Sequence, residues 1–373
     1  MKVVAAIDSF KGSMTSMEAG NAVKKGILAA KPDAEVVVNP LADGGEGTVD
    51  ALIEGLGAKK IPVTVTGPLG EKVSCYYGFL EETKSAVMEM ASAAGITLVT
   101  KKDPLRASTY GVGEMIADAL KRGCKNFMIG IGGSATNDGG IGMLKALGFE
   151  FFDEDGNDVG EGAAALAKIE VIQTENKNPL LSGAKFQIAC DVKNPLCGKQ
   201  GATYIFGPQK GVTEEQKSKV DEAMKHYADV TKESLGCDFA DCEGAGAAGG
   251  LGYAFLSYLA GELIPGVELI LQATGLEEKM KNADVVVTGE GRLDAQTVMG
   301  KAPVGVAALA KKYNAKVIAF AGSVAPEASV CNQAGIDAFF PIVRGVTTLE
   351  EAMKKENAME NIAATAEQVF RLL

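Results

Sequence analysis

Residues 2–13 read KVVAAIDSFKGS, and residues 284–294 read DVVVTGEGRLD. Each is a short unbroken apolar run, Lys2 to Ile7 and Asp284 to Thr288, that ends in a polar, glycine-bearing turn. A run without polar alternation is the signature of a strand covered on both faces, the usual state in a parallel sheet. Outward from the first run, a helical stretch fits about 16–30 and stops at Lys31-Pro32; a strand fits Glu35 to Asn39 and a helix Thr48 to Glu54. Outward from the second, a helix fits 302–312, a strand 316–320, a short helix 325–334, a strand 337–343, and an amphipathic helix begins near Leu349. This alternation predicts βα units and a parallel sheet.

The middle has another texture. IPVTVT (61–66), KVSCYYGF (72–79) and SAVMEM (85–90) alternate or cluster as antiparallel hairpins do. Strand–loop–helix returns at 126–148, a strand at 185–190 and a charged helix at about 213–233. The expected fold class is α/β with two domains. One is a doubly wound parallel-sheet domain of Rossmann or flavodoxin-like type, built from 1–65 and 280–373. A second, mixed α/β domain at 66–279 is inserted into it.

The 373 residues suffice for more than one core. Glycine is in excess, 46 residues, without a collagen period. The single histidine, His226, excludes Ser-His-Asp and Cys-His triads, so acid–base work falls to carboxylates, Lys, Tyr or Cys. His226 itself lies in the charged helix and reads as solvated. The net charge of −11 disfavours a nucleic-acid partner. Seven scattered cysteines without a C-x-x-C pair read as reduced thiols. No apolar run is of membrane-spanning length and no signal-peptide pattern opens the chain, so a cytoplasmic protein is expected.

Glycine-rich loops carry the chemistry: DSFKGS (8–13), ADGGEGT (42–48), GIGGSATNDGG (130–140), IFGPQKG (205–211), GAGAAGG (244–250) and TGEGRLD (288–294). Such loops let backbone amides approach a phosphate. Any one of them is also a plain turn. No G-x-x-x-x-G-K-[ST] motif occurs. The G-x-G-x-x-G at Gly244, Gly246 and Gly249 follows no strand, so it fails as a dinucleotide fingerprint and fits tight packing equally well. The acids Asp8, Asp43, Glu46, Asp138, Asp191, Glu290 and Asp294 sit in or beside the loops. They are candidate Mg²⁺ ligands or bases, or else caps of turns. Arg292 is the one arginine in a glycine-rich strand-end loop, and its fork suits a carboxylate or phosphate.

In this order DSFKGS, ADGGEGT, GIGGSATNDGG, ACDVKNPLCG, FGPQKG, GAGAAGG and TGEGRLD resemble the bacterial type I glycerate kinases (glycerate 2-kinases), over essentially the whole chain. The resemblance implies transfer of the ATP γ-phosphate to D-glycerate, giving 2-phosphoglycerate and ADP with Mg²⁺. It also implies a two-domain α/β protein with its active site between domains. The expected partners are glycerate and ATP, with no nucleic acid and no membrane; a homo-oligomer is compatible with this. Chemistry then distributes roles. Asp8, Lys11, Arg292 and Asp294 are expected in catalysis. Gly132, Gly133, Ser134, Thr136, Asn137, Lys210, Gly289 and Lys301 are expected on the nucleotide, and Asp138, Asp191 and Glu290 on the metal. A kinase of another small hydroxy acid, an NAD(P)-dependent oxidoreductase and a non-catalytic small-molecule binder stay open.

Overall fold

The structure, a computed structural model, describes residues 1–42 and 48–373. The expected loop acids Asp43 and Glu46 lie outside the described residues. The chain divides into two compact units. The first comprises the chain up to residue 42, Asp50–Gly57 and Val267–Leu373; the second is built on Ala58–Gly266.

The first unit holds a five-stranded sheet of β1 (Lys2–Ile7), β2 (Glu35–Pro40), β11 (Val285–Leu293), β12 (Lys316–Val324) and β13 (Ala338–Pro341). The order is β13-β12-β11-β1-β2 and every pair is parallel. Within the unit that is the flavodoxin-like order 2-1-3-4-5. Val3–Ile7 and Val285–Val287 are fully covered, as their unbroken apolar runs require. One face packs on helices Ser16–Ala30 and Lys355–Phe370 through Val23, Ile27, Ile362 and Phe370. Helix Ser16–Ala30 starts at a capping box, Thr15 with Glu18, and Gly26 gives the Ala363 carbonyl room to approach.

The second unit holds a six-stranded mixed sheet. Its strands are β3 (Lys59–Thr66), β4 (Lys72–Leu80), β5 (Ser85–Glu89), β6 (Asn126–Gly130), β9 (Lys185–Ala189) and β10 (Glu262–Ile264). β3, β4 and β5 pair antiparallel, as the hairpin texture predicts; β5, β6, β9 and β10 pair parallel. β7 (Glu150–Phe152) and β8 (Val171–Gln173) form a separate antiparallel pair.

The unit boundaries differ from the expected 65/66 and 279/280. β3 groups with the second unit because all eight of its residues pair with β4. Helices Gly266–Ala273 and Leu276–Met280 group with the first. There Val267 packs toward Gly305, and Thr274 and Lys279 bond Asn39 at 3.0 and 2.6 Å. Among the described residues, no helix is long and apolar enough to cross a membrane.

Candidate active site

In the 2-1-3-4-5 order the strand sequence reverses between β1 and β11, and ligands of open α/β sheets bind beyond the strand C-termini at that reversal. The loop after β1 and the end of β11 meet there: the Asp8 amide donates to the Gly289 carbonyl at 2.9 Å. A cavity of about 560 Å³ opens at this point. Its charged lining is Asp8, Lys11, Glu290, Arg292, Asp294 and Lys301. All four expected catalytic residues are therefore in one cavity, with one expected metal ligand and one expected nucleotide contact. Its other wall is apolar, made by Phe10, Ile342, Val343, Leu349 and Met353.

The charges form a connected set. Lys301 Nζ lies 3.5 Å from Glu290 Oε2 and 3.8 Å from Asp294 Oδ1. Arg292 Nε lies 3.5 Å from Asp294 Oδ2, with its side chain 67% exposed. Glu290 and Arg292 are two apart on a strand, so both side chains leave the same face. Glu290 is buried; loss of water pushes its carboxyl up, opposed by the Thr297 hydrogen bond and by Lys301. Gly291 also lines the cavity, and the nearest atom to a Cβ placed there is Phe10 Cα at 3.9 Å, leaving room for a ligand.

A second cavity, of about 420 Å³, lies in the second unit beyond β6 and β9. Gly132, Gly133, Ser134, Asp191 and Lys210 line it, beside Ile96, Ile131 and Phe206. Gly133 takes a left-handed φ of +73°, and a Cβ on Gly132 would meet nothing. Asp191 Oδ1 accepts from the Gly266 amide at 2.8 Å. The expected nucleotide contacts thus divide: Gly132, Gly133, Ser134 and Lys210 belong to this unit, Lys301 to the first. The expected metal ligands divide likewise, and among the described residues no three His, Cys, Asp or Glu side chains form a metal cluster.

Burial sets several expected site residues apart from the two cavities. Asp138 is fully enclosed, accepting from the Thr109 amide and hydroxyl, both at 2.8 Å, and from the Gly140 and Gly142 amides. Its carboxylate ties the loop to Thr109, and it lines neither cavity. Thr136 and Asn137 are also fully buried and line neither cavity. Lys210 is 2% exposed, and its Nζ donates to the Thr136 carbonyl at 2.6 Å. Burial pulls its pKa down to about 7, against the pull of Asp138. Gly289 lies inside β11, where a Cβ would press on the Phe320 carbonyl, so its glycine serves strand packing. The glycines at 246 and 249 likewise admit the Pro195 and Thr136 carbonyls, which is the packing role of the G-x-G-x-x-G run. His226 is half-buried, and its Nε2 bonds the Ile169 carbonyl at 2.7 Å, so it is less solvated than its charged helix implied.

Sequence reasoning missed Thr297, Ser323 and the Leu349–Met353 wall. For Thr297 a signal was present: a hydroxyl three residues after Asp294, the spacing of a side-chain-bonded turn.

The fold and the two loop-built cavities define an α/β protein with candidate sites for small ligands. Residues 3–373 match the family model described as "Glycerate kinase family". The chain is 45% identical to the glycerate kinase of Bacillus subtilis (strain 168), covering 99% of this chain and 97% of that protein. It is 45% identical to the glycerate 2-kinase of Escherichia coli (strain K12), covering 98% of each. A crystal structure assigned to glycerate kinase 2 of Salmonella typhimurium LT2 superposes with a TM-score of 0.91 at 43% identity, covering 99% of this chain and 97% of that one. The chain belongs to the glycerate kinase family.

Proposed function

We propose that this enzyme transfers the γ-phosphate of ATP to the 2-hydroxyl of D-glycerate, giving 2-phosphoglycerate and ADP. The observation that carries the reading is the cluster Asp8, Lys11, Glu290, Arg292, Asp294 and Lys301 on one cavity at the sheet's reversal point. Phosphoryl transfer needs cations on the moving phosphoryl group, a carboxylate on the attacking hydroxyl and a positioned acceptor. Lys11 and Lys301 supply the first. Asp294, or Asp8, takes the hydroxyl proton. The exposed Arg292 fork pairs with the substrate carboxylate, which glycerol lacks. In the second unit, the Gly132–Ser134 backbone and its open cavity suit nucleotide phosphates.

Mg²⁺ fits the donors of the first cavity. Asp8 and Glu290 offer hard oxygens, and one or two carboxylates with substrate phosphates are its ordinary holding set. Glu290 would hold it, joined by Asp8 where Asp294 is the base; when bound it neutralises phosphate charge. Lys301, 3.5 Å from Glu290, favours its charged form against the upward push of burial.

The apolar wall supports a second arrangement of the same reaction. A cavity of about 560 Å³ exceeds what a three-carbon acid fills, and Phe10, Leu349 and Met353 would suit a nucleotide base. Arg292 would then sit on phosphate. Steady-state kinetics of purified protein with ATP, Mg²⁺ and a panel of hydroxy acids and glycerol test the reaction itself. D-Glycerate is expected to be turned over and glycerol to be poor. Equal rates for the two would remove the carboxylate from the account.

A further inference from the structure

Thr297 is fully buried beside Glu290 and the backbone of Asp294. Its Oγ1 accepts from the Asp294 amide at 3.1 Å and donates to Glu290 Oε1 at 2.7 Å. The direction of these bonds is forced. An amide N–H only donates, so the hydroxyl accepts there, and its single hydrogen is left for Glu290. Glu290 Oε1 is therefore an acceptor, which leaves Oε2 to face Lys301 Nζ, 3.5 Å away. At the other end, Asp294 is held by its amide on Thr297 and by its Oδ1, which accepts from the Gln296 amide at 2.9 Å. The Thr297 amide closes the turn on the Asp294 carbonyl at 3.1 Å. One hydroxyl thus ties the end of a strand to the turn that carries Asp294, and leaves Glu290 Oε2 as the oxygen that meets the shared lysine.

We infer that Thr297 is a positioning residue for phosphoryl transfer: its hydroxyl aligns Glu290 and Asp294 on Lys301 without touching substrate. This rests on the kinase reading above. A methyl in place of the hydroxyl, as in Thr297→Val, keeps volume and β-branching and removes both bonds. Glu290 then loses the one short side-chain donor it has among the described residues, and the Asp294 amide loses its acceptor. Thr297→Ser keeps both bonds.

The test compares Thr297→Val, Thr297→Ala and Thr297→Ser with the parent enzyme in steady-state kinetics and in amide hydrogen exchange at Asp294. Kinetically, Val and Ala are expected to lower kcat by about tenfold to a hundredfold, with KM for D-glycerate and for ATP within about threefold. Ser is expected to restore kcat to within about threefold of the parent. In exchange, the Asp294 amide should lose protection in Val and Ala and keep it in Ser. Unchanged protection in Val or Ala would overturn the inference, whatever the reaction catalysed. Equal kcat loss in Ser and Val, or normal kcat in Val, would also overturn it. Should Val fail to fold, the Ala and Ser pair decides. Parent enzyme that ignores glycerate while Asp294 exchange follows the expected order would refute the kinase reading and leave the alignment by Thr297 standing.

Discussion

The backbone amide of Asp8 donates a 2.9 Å hydrogen bond to the carbonyl of Gly289, joining the ends of two parallel strands that lie about three quarters of the chain apart in sequence. That bond sets the DSFKGS turn against the TGEGRLD turn. It is why Lys11 and Asp8 share a cavity with Glu290, Arg292 and Asp294.

Asp294→Asn retains shape and the turn bond from Gln296 but removes charge beside Lys301 and Arg292. In steady-state assays kcat is expected to fall by about a hundredfold or more, the lower range for loss of a general base. Near-normal kcat would move the base to Asp8.

Arg292→Ala separates the two arrangements of the cavity. With the guanidinium on the substrate carboxylate, KM for D-glycerate is expected to rise about tenfold or more while KM for ATP holds, since a charged partner has been truncated. Arg292→Lys should be impaired as well, because the fork is lost. A rise confined to ATP would place Arg292 on phosphate.

Gly289→Ala tests whether this glycine serves packing. The added Cβ meets the Phe320 carbonyl of the neighbouring strand, and overpacking of this kind costs about 1–3 kcal/mol. A lower midpoint in denaturant melts is expected. Unchanged stability with lost nucleotide affinity would instead return Gly289 to the ligand.

Lys210 predicts an alkaline dependence of stability. Burial holds its folded pKa at about 7, whereas the unfolded lysine titrates near 10.5. Between those values the unfolded chain binds a proton that the folded chain lacks, so this contribution grows as pH rises and is lost as pH falls toward 7. The melting temperature of the parent relative to Lys210→Met should therefore increase from pH 7 to pH 9.5. A constant difference would show Lys210 to be charged when folded.

The parallel sheet was legible because strands covered on both faces carry no polar residue: β1 and β11 announce themselves as apolar runs ending at a charged turn. Sequence reasoning missed helix Tyr110–Lys121; the hydroxyl of Thr109, at its N-cap, donates to Asp138 at 2.8 Å and does not cap the helix. β10 is three residues long, too short for a pattern. Among the site residues, Asp294 and Asp138 look alike in sequence, each an acid in a glycine-rich loop. Only the fold encloses one and leaves the other on a cavity, because burial is decided by chain segments far away. The same holds for glycine. At 291 it opens space for a ligand and at 249 it admits the Thr136 carbonyl, and no local spacing distinguishes the two.

The most direct measurement is a phosphorus NMR time course of the purified protein with ATP, Mg²⁺ and D-glycerate. The γ-phosphate signal of ATP is expected to decline as ADP and 2-phosphoglycerate grow in equal amounts. The Asp294→Asn protein, folded, is expected to leave the ATP signal nearly unchanged over the same period. Accumulation of inorganic phosphate or 3-phosphoglycerate in place of 2-phosphoglycerate, or ATP that persists beside the parent protein, would contradict the proposed transfer.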